Sequence, residues 1–140
     1  MQQFETADPA ATEALGAELA ERLSRGDLVY VLGELGSGKT TLVRGACRAL
    51  GVDGAVTSPT FAIGHRYLAR GGLVVAHLDL YRLERLGAED PELLADYLGP
   101  DRIAFVEWPP AGAPGVLGAP TLTVELSHLG GDRRRIEVRA

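Results

Sequence analysis

The sequence predicts a single α/β domain, a mixed sheet of parallel strands plus antiparallel hairpins with flanking helices. Three observations predict it. The apolar run Asp27-Leu28-Val29-Tyr30-Val31-Leu32 enters a glycine-rich octet that opens a helix pattern, the strand–loop–helix order of a P-loop NTPase-like fold. Two glycine joints, Gly71-Gly72 and Gly130-Gly131-Asp132, each separate strand-like segments and read as hairpins. The 140 residues suit one domain with a real core.

The first helix is predicted over about Pro9 to Leu23, with Asp8 as N-cap and Pro9 in the first turn. Leu15, Leu19 and Leu23 form its apolar stripe, and Gly26 ends the segment. The strand at 27–32 and the octet follow. Leu42 to Leu50 then reads as a helix stopped by Gly51. Thr57-Ser58-Pro59-Thr60 is a polar turn. Phe61 to Ala69 and Leu73 to Leu80 are the strands of the first hairpin. Asp90-Pro91-Glu92 opens a short helix to about Leu98, which Gly99-Pro100 stops. Ile103-Ala104-Phe105-Val106 is a strand ending in Glu107, and a Pro- and Gly-rich loop runs from Pro109 to Pro120. Thr121 to Ser127 and Arg133 to Arg139 alternate apolar and polar residues and make the second hairpin.

The octet Gly33-Glu34-Leu35-Gly36-Ser37-Gly38-Lys39-Thr40 meets every fixed position of G-x-x-x-x-G-K-S/T. Lys39 is the only lysine, and the other thirteen of the fourteen basic residues are arginine. A compact ammonium reaches between β- and γ-phosphates, where a planar guanidinium fits poorly. The glycines allow a tight turn whose backbone N–H groups converge on phosphate. Thr40 offers a hydroxyl to Mg²⁺, and Thr41 begins a helix whose positive end faces the anion. The predicted nucleotide contacts are Glu34, Leu35, Gly36, Ser37, Gly38, Lys39, Thr40 and Thr41.

Ligands of open α/β sheets bind beyond the carboxyl ends of the strands. Two acids occupy such ends. Glu107 directly follows a buried apolar run, in the place of a Walker B acid, where it must face a cleft or a cation. Asp79 lies near the end of Leu73 to Leu78. Lys39, Asp79 and Glu107 form the predicted catalytic set, with Thr40 and Glu107 on the metal. Ser58-Pro59-Thr60 reads equally as a γ-phosphate sensor or as a simple turn. A strand histidine such as His77 is more often structural than functional, and it is read so here. Trp108 either shields the metal site, touches a partner or packs in the core.

Composition excludes several classes. No apolar run is long enough to span a membrane, and the N-terminus lacks a signal-peptide pattern. The single cysteine, Cys47, cannot form an internal disulfide, so a cytoplasmic protein is expected. A net charge of −5 argues against strong direct tRNA or other nucleic-acid binding, despite Arg133-Arg134-Arg135. A GTPase is disfavoured, because its guanine-reading N-K-x-D motif needs an asparagine and a second lysine that the chain lacks. The enzyme alternative is a P-loop kinase of a small metabolite, with Arg82 and Arg85 over the transferred phosphate. A nucleotide-gated binding module is a third reading.

The octet with Thr41, then Ser58-Pro59-Thr60-Phe61, then His77-Leu78-Asp79-Leu80-Tyr81-Arg82-Leu83, then Glu107-Trp108-Pro109 together resemble the TsaE (formerly YjeE) family. The resemblance runs from about Asp8 to Arg139. It implies a small bacterial ATPase, using ATP and Mg²⁺, required for threonylcarbamoyladenosine at position 37 of tRNA. It implies slow hydrolysis and action on a complex of the TsaB and TsaD proteins. By position it implies Mg²⁺ on Thr40 and Glu107, hydrolysis served by Asp79, and nucleotide contacts from the Asp8 to Thr12 segment and from Arg133. Pro110 departs from the family, which often carries a polar or acidic residue there.

Overall fold

A computed structural model describes residues 1–57, 64–81, 97–110 and 113–140, with Pro114 and Val116 described in backbone only. The strands are β1 (Gln2–Thr6), β2 (Leu28–Gly33), β3 (Gly64–Leu68), β4 (Val74–Asp79), β5 (Arg102–Glu107), β6 (Leu122–Gly130) and β7 (Arg133–Arg139). The helices are α1 (Pro9–Ala20), α2 (Lys39–Ala49) and the short α3 (Ala113–Leu117). Three predicted features lie outside the described residues: Ser58-Pro59-Thr60 with the start of the Phe61 strand, Arg82 and Arg85, and most of the Asp90 to Leu98 helix.

The sheet has the order β1-β7-β6-β2-β5-β4-β3. The four inner strands β6, β2, β5 and β4 are parallel, while β7, β1 and β3 add antiparallel margins. The predicted mixed sheet is therefore the observed one. Strand β1 was not expected, because Gln2-Gln3-Phe4-Glu5-Thr6 has only Phe4 as a large apolar residue. It forms by pairing with β7, where Phe4 faces Ile136.

Strand parity sorts the core. Val29, Val31, Val75, Ile103, Phe105, Val124, Ile136 and Val138 pack under α1 and α2. Leu28, Tyr30, Ala76, Leu78, Ala104 and Val106 point the other way, toward α3 and Leu98. Asp8 caps α1 as predicted, its carboxylate accepting the Ala11 N–H at 2.8 Å, with Pro9 at the first position. The helix stops at Ala20 rather than Leu23, but Leu23 still packs on the core. Helices α1 and α2 meet at backbone contact, since a Cβ on Gly45 would lie 1.9 Å from the Glu13 carbonyl oxygen. Glu13 also receives Arg44 and Arg48 at 3.5 and 3.0 Å. Cys47 of α2 is buried in the core, and burial pushes its thiol up to about 12.

Candidate nucleotide site

The three central strands deliver the chemistry at their carboxyl ends. Strand β2 runs into the octet, β5 ends in Glu107 and β4 ends in Asp79. The register of β4 on β5 sets Asp79 beside Glu107. Both acids share strand parity with Val75, Ile103 and Phe105, so they face the side that α2 covers. A cleft of about 290 Å³ opens there, lined by Leu35, Gly36, Gly38, Lys39, Thr40, Thr41, Asp79, Glu107, Trp108 and Arg134. The octet residues and both predicted acids thus converge on one opening.

Lys39 is buried, although it is a lysine. Its ammonium donates to the carbonyl oxygens of Gly33 and Glu34 at 2.7 and 2.8 Å. Burial pushes its pKa down, and the nearby Glu107 and Asp79 carboxylates pull it back up. Trp108 covers it, with the ammonium 4.3 Å from the ring centroid. Trp108 has φ +56°, the single non-glycine residue with positive φ among the described ones, a backbone cost of about 1–3 kcal/mol. That turn lays the indole between Lys39 and Tyr81, whose ring centroid is 4.9 Å away. Of the readings open for Trp108, the geometry favours a cover over the cleft, since the ring is half-buried rather than in the core.

Thr40 lies in the first turn of α2, within reach of Glu107. Its hydroxyl donates to the carboxylate, at 3.3 Å from Oε1 and 3.1 Å from Oε2. Glu107 is buried at 2% exposure, and His77 Nε2 bonds the same Oε2. Asp79 is partly exposed and accepts the Tyr81 N–H at 3.0 Å. Hydroxyl and carboxylate are hard oxygen donors, the set that Mg²⁺ takes alongside phosphate and water. The loop fits phosphate as well: Gly36 has φ +73° with open space around it, so its backbone can approach an anion.

Thr12 and Arg133 separate. Thr12 lies beside the loop, its methyl 3.8 Å from where a Gly38 side chain would begin, and its hydroxyl pairs with Thr6 at 2.8 Å. A smaller recess joins it to Pro9, Gly38, Thr41, Asp132 and Arg134. Arg133 is exposed on the far face of β7. Its neighbour Arg134 reaches the loop instead, with Nε 3.0 Å from the Ser37 carbonyl oxygen and Nη2 3.0 Å from that of Gly36. Strand parity explains the exchange, because Arg134 lies on the same side as the buried Ile136 and Val138. That alternation was readable in the sequence. The His77–Glu107 bond was not, since it depends on β4 lying next to β5.

A sequence profile described as "Threonylcarbamoyl adenosine biosynthesis protein TsaE" matches residues 6–136. The chain is 48% identical over 95 residues to the tRNA threonylcarbamoyladenosine biosynthesis protein TsaE of Streptomyces coelicolor, covering 67% of this chain and 64% of that protein. It is 39% identical over 117 residues to the TsaE protein of Synechocystis, covering 76% of this chain and 69% of that one. The chain thus spans just under two thirds of the Streptomyces relative's length. The crystal structure of Bacillus subtilis YdiB superposes with a TM-score of 0.73 at 30% identity, covering 96% of this chain and 82% of YdiB. With the profile spanning nearly every element that builds the cleft, the chain belongs to the TsaE family of threonylcarbamoyl adenosine biosynthesis proteins.

Proposed function

We propose that this chain is a single-domain P-loop ATPase of the cytoplasm that binds ATP with Mg²⁺ and hydrolyses it slowly. It serves the threonylcarbamoyladenosine modification of tRNA by acting on the TsaB–TsaD complex. The carrying observation is the meeting of Lys39, Thr40, Asp79 and Glu107 at one cleft, beyond the ends of three adjacent parallel strands. Family membership supports the pathway.

Each residue then has a task. Backbone N–H groups from Glu34 to Thr41 cradle the phosphates at the start of α2. Lys39 leaves the Gly33 and Glu34 carbonyls to reach the β- and γ-phosphates. Thr40 and Glu107 hold Mg²⁺, and Asp79 orients the attacking water from the neighbouring strand. Bound Mg²⁺ neutralises charge developing on the phosphates. Thr12 and Arg134 flank the far end of the loop, with Arg133 turned to solvent. The acidic balance leaves tRNA to the partners. Among the described residues no helix is long and apolar enough to cross a membrane.

The test is ATP hydrolysis in Mg²⁺, measured alone and with the purified TsaB–TsaD pair. Turnover is expected to rise when the pair is added. Hydrolysis indifferent to the pair removes the partner assignment. No hydrolysis in either condition, with phosphate passing instead to a small acceptor, replaces the ATPase with a kinase.

A further inference from the structure

Among the described residues, His77 is a fully enclosed polar group that the proposed chemistry leaves without a task. It lies in the middle of β4 with 0% exposure. Its Nε2 meets Glu107 Oε2, while its Nδ1 is buried with no hydrogen-bond partner. A carboxylate only accepts, so Nε2 carries the hydrogen and donates. A hydrogen on Nδ1 would be stranded, whereas a bare lone pair there costs less, which fixes the tautomer.

The position is as informative as the bond. His77 precedes Asp79 by two residues, so both side chains leave the same face of β4. Asp79 lines the cleft and His77 does not. His77 therefore touches Glu107 from the core side, opposite the opening. Thr40 holds the same carboxylate from α2. A glutamate has three side-chain torsions, and ordering it costs conformational entropy. Two donors from two different elements supply that order before any ligand arrives.

We propose that His77 is a positioning residue, which donates from Nε2 to Glu107 and fixes this acid in the orientation that receives Mg²⁺ beside Thr40. The inference rests on the metal role given to Glu107 above. Outer partners of metal-binding groups are worth about 10–100-fold in affinity. The reading differs from a purely structural pairing in one respect: its effect travels through Glu107 to the metal and not to the nucleotide as such.

The experiment measures ADP affinity by calorimetry, once in excess EDTA and once in Mg²⁺. The wild-type protein is expected to bind ADP more tightly with Mg²⁺, and Glu107→Gln to lose that gain. His77→Leu is expected to lose about tenfold of the gain while keeping the EDTA affinity. His77→Gln, whose amide nitrogen stands as far out as Nε2, should recover most of it. His77→Asn stops short and should not, and it serves as the test where the leucine variant does not fold. Added to Glu107→Gln, either defective variant should change nothing further. A full Mg²⁺ gain in both His77→Leu and His77→Asn overturns the inference. So does an equal loss in EDTA, or a further loss in the Glu107→Gln background. A wild-type protein without any Mg²⁺ gain overturns the metal role of Glu107 itself, and this proposal with it.

Discussion

Gly36 and Gly45 stand on either side of Lys39, and each is glycine for the opposite reason. Gly36 has φ +73°, and nothing lies within 4 Å of where its side chain would begin. Gly45 sits inside α2, and a side chain there would strike the Glu13 carbonyl oxygen at 1.9 Å. One residue shapes open space and the other permits its absence. The contrast shows how the site is assembled. The α1–α2 contact is packed to the backbone, which fixes the first turn of α2 and hence Thr40 over Glu107. The loop ahead of that turn stays open toward the cleft. Rigidity lies behind the phosphates' expected position and room lies in front of it.

The largest effect is expected at the open side. On the proposed function, Lys39→Ala removes a charge-assisted contact to the β- and γ-phosphates. A loss of one such contact in an electrostatically driven step costs roughly 10²–10³ in turnover or more. The fold should persist, because the Lys39 ammonium bonds loop carbonyls and Ser37 and lies against the Trp108 ring, all within the loop and its cover. Circular dichroism with an ATPase assay checks both halves. Near-normal turnover in a folded Lys39→Ala protein would remove the phosphate-loop assignment.

A smaller loss, and one of another kind, is expected on the packed side. Glycine to alanine inside a helix ordinarily stabilises it by about 1 kcal/mol. Gly45→Ala should reverse that sign, since the helices must part to admit the methyl group. A net loss of about 2 kcal/mol follows, seen as a drop in Tm on the order of 6 °C. Thermal unfolding decides it. A rise in Tm would mean that the α1–α2 contact is looser than these distances and that helix propensity wins.

The two sides also differ in how far the sequence disclosed them. The octet was legible because its pattern is local: spacing alone puts glycines, lysine and threonine on one turn at the mouth of the cleft. The placement of Glu107 and Asp79 at the cleft was legible because both lie at the carboxyl ends of apolar strands. Gly45 gave no such signal, since its reason is Glu13, which only tertiary packing brings close. His77 is similar, because its partner depends on strand order, which the linear pattern does not contain. Strand β1 was missed because its polar residues acquire a strand's shape only by pairing with β7. Arg134 is the intermediate case. The basic triplet drew notice to Arg133, yet the alternation with Ile136 and Val138 already pointed to Arg134.

Arg134 joins the two sides, and the smallest effect is expected there. Its guanidinium spans from the Ser37 and Gly36 carbonyls to those of Gly131 and Arg133, all between 2.6 and 3.0 Å. It ties the β6–β7 turn to the loop by holding the Gly36 and Ser37 carbonyls. Such a brace acts on the resting shape of the loop, so its loss should weaken ATP and ADP alike. Arg134→Gln is expected to lower both affinities about tenfold, or about 1.4 kcal/mol. Arg133→Gln, on the exposed face of the same strand, should leave both unchanged. Calorimetry with ADP and with a non-hydrolysable ATP analogue separates the possibilities. A loss confined to the ATP analogue would identify Arg134 as a γ-phosphate contact. An equal loss from Arg133→Gln would show that charge near the cleft matters and the particular bonds to the loop do not.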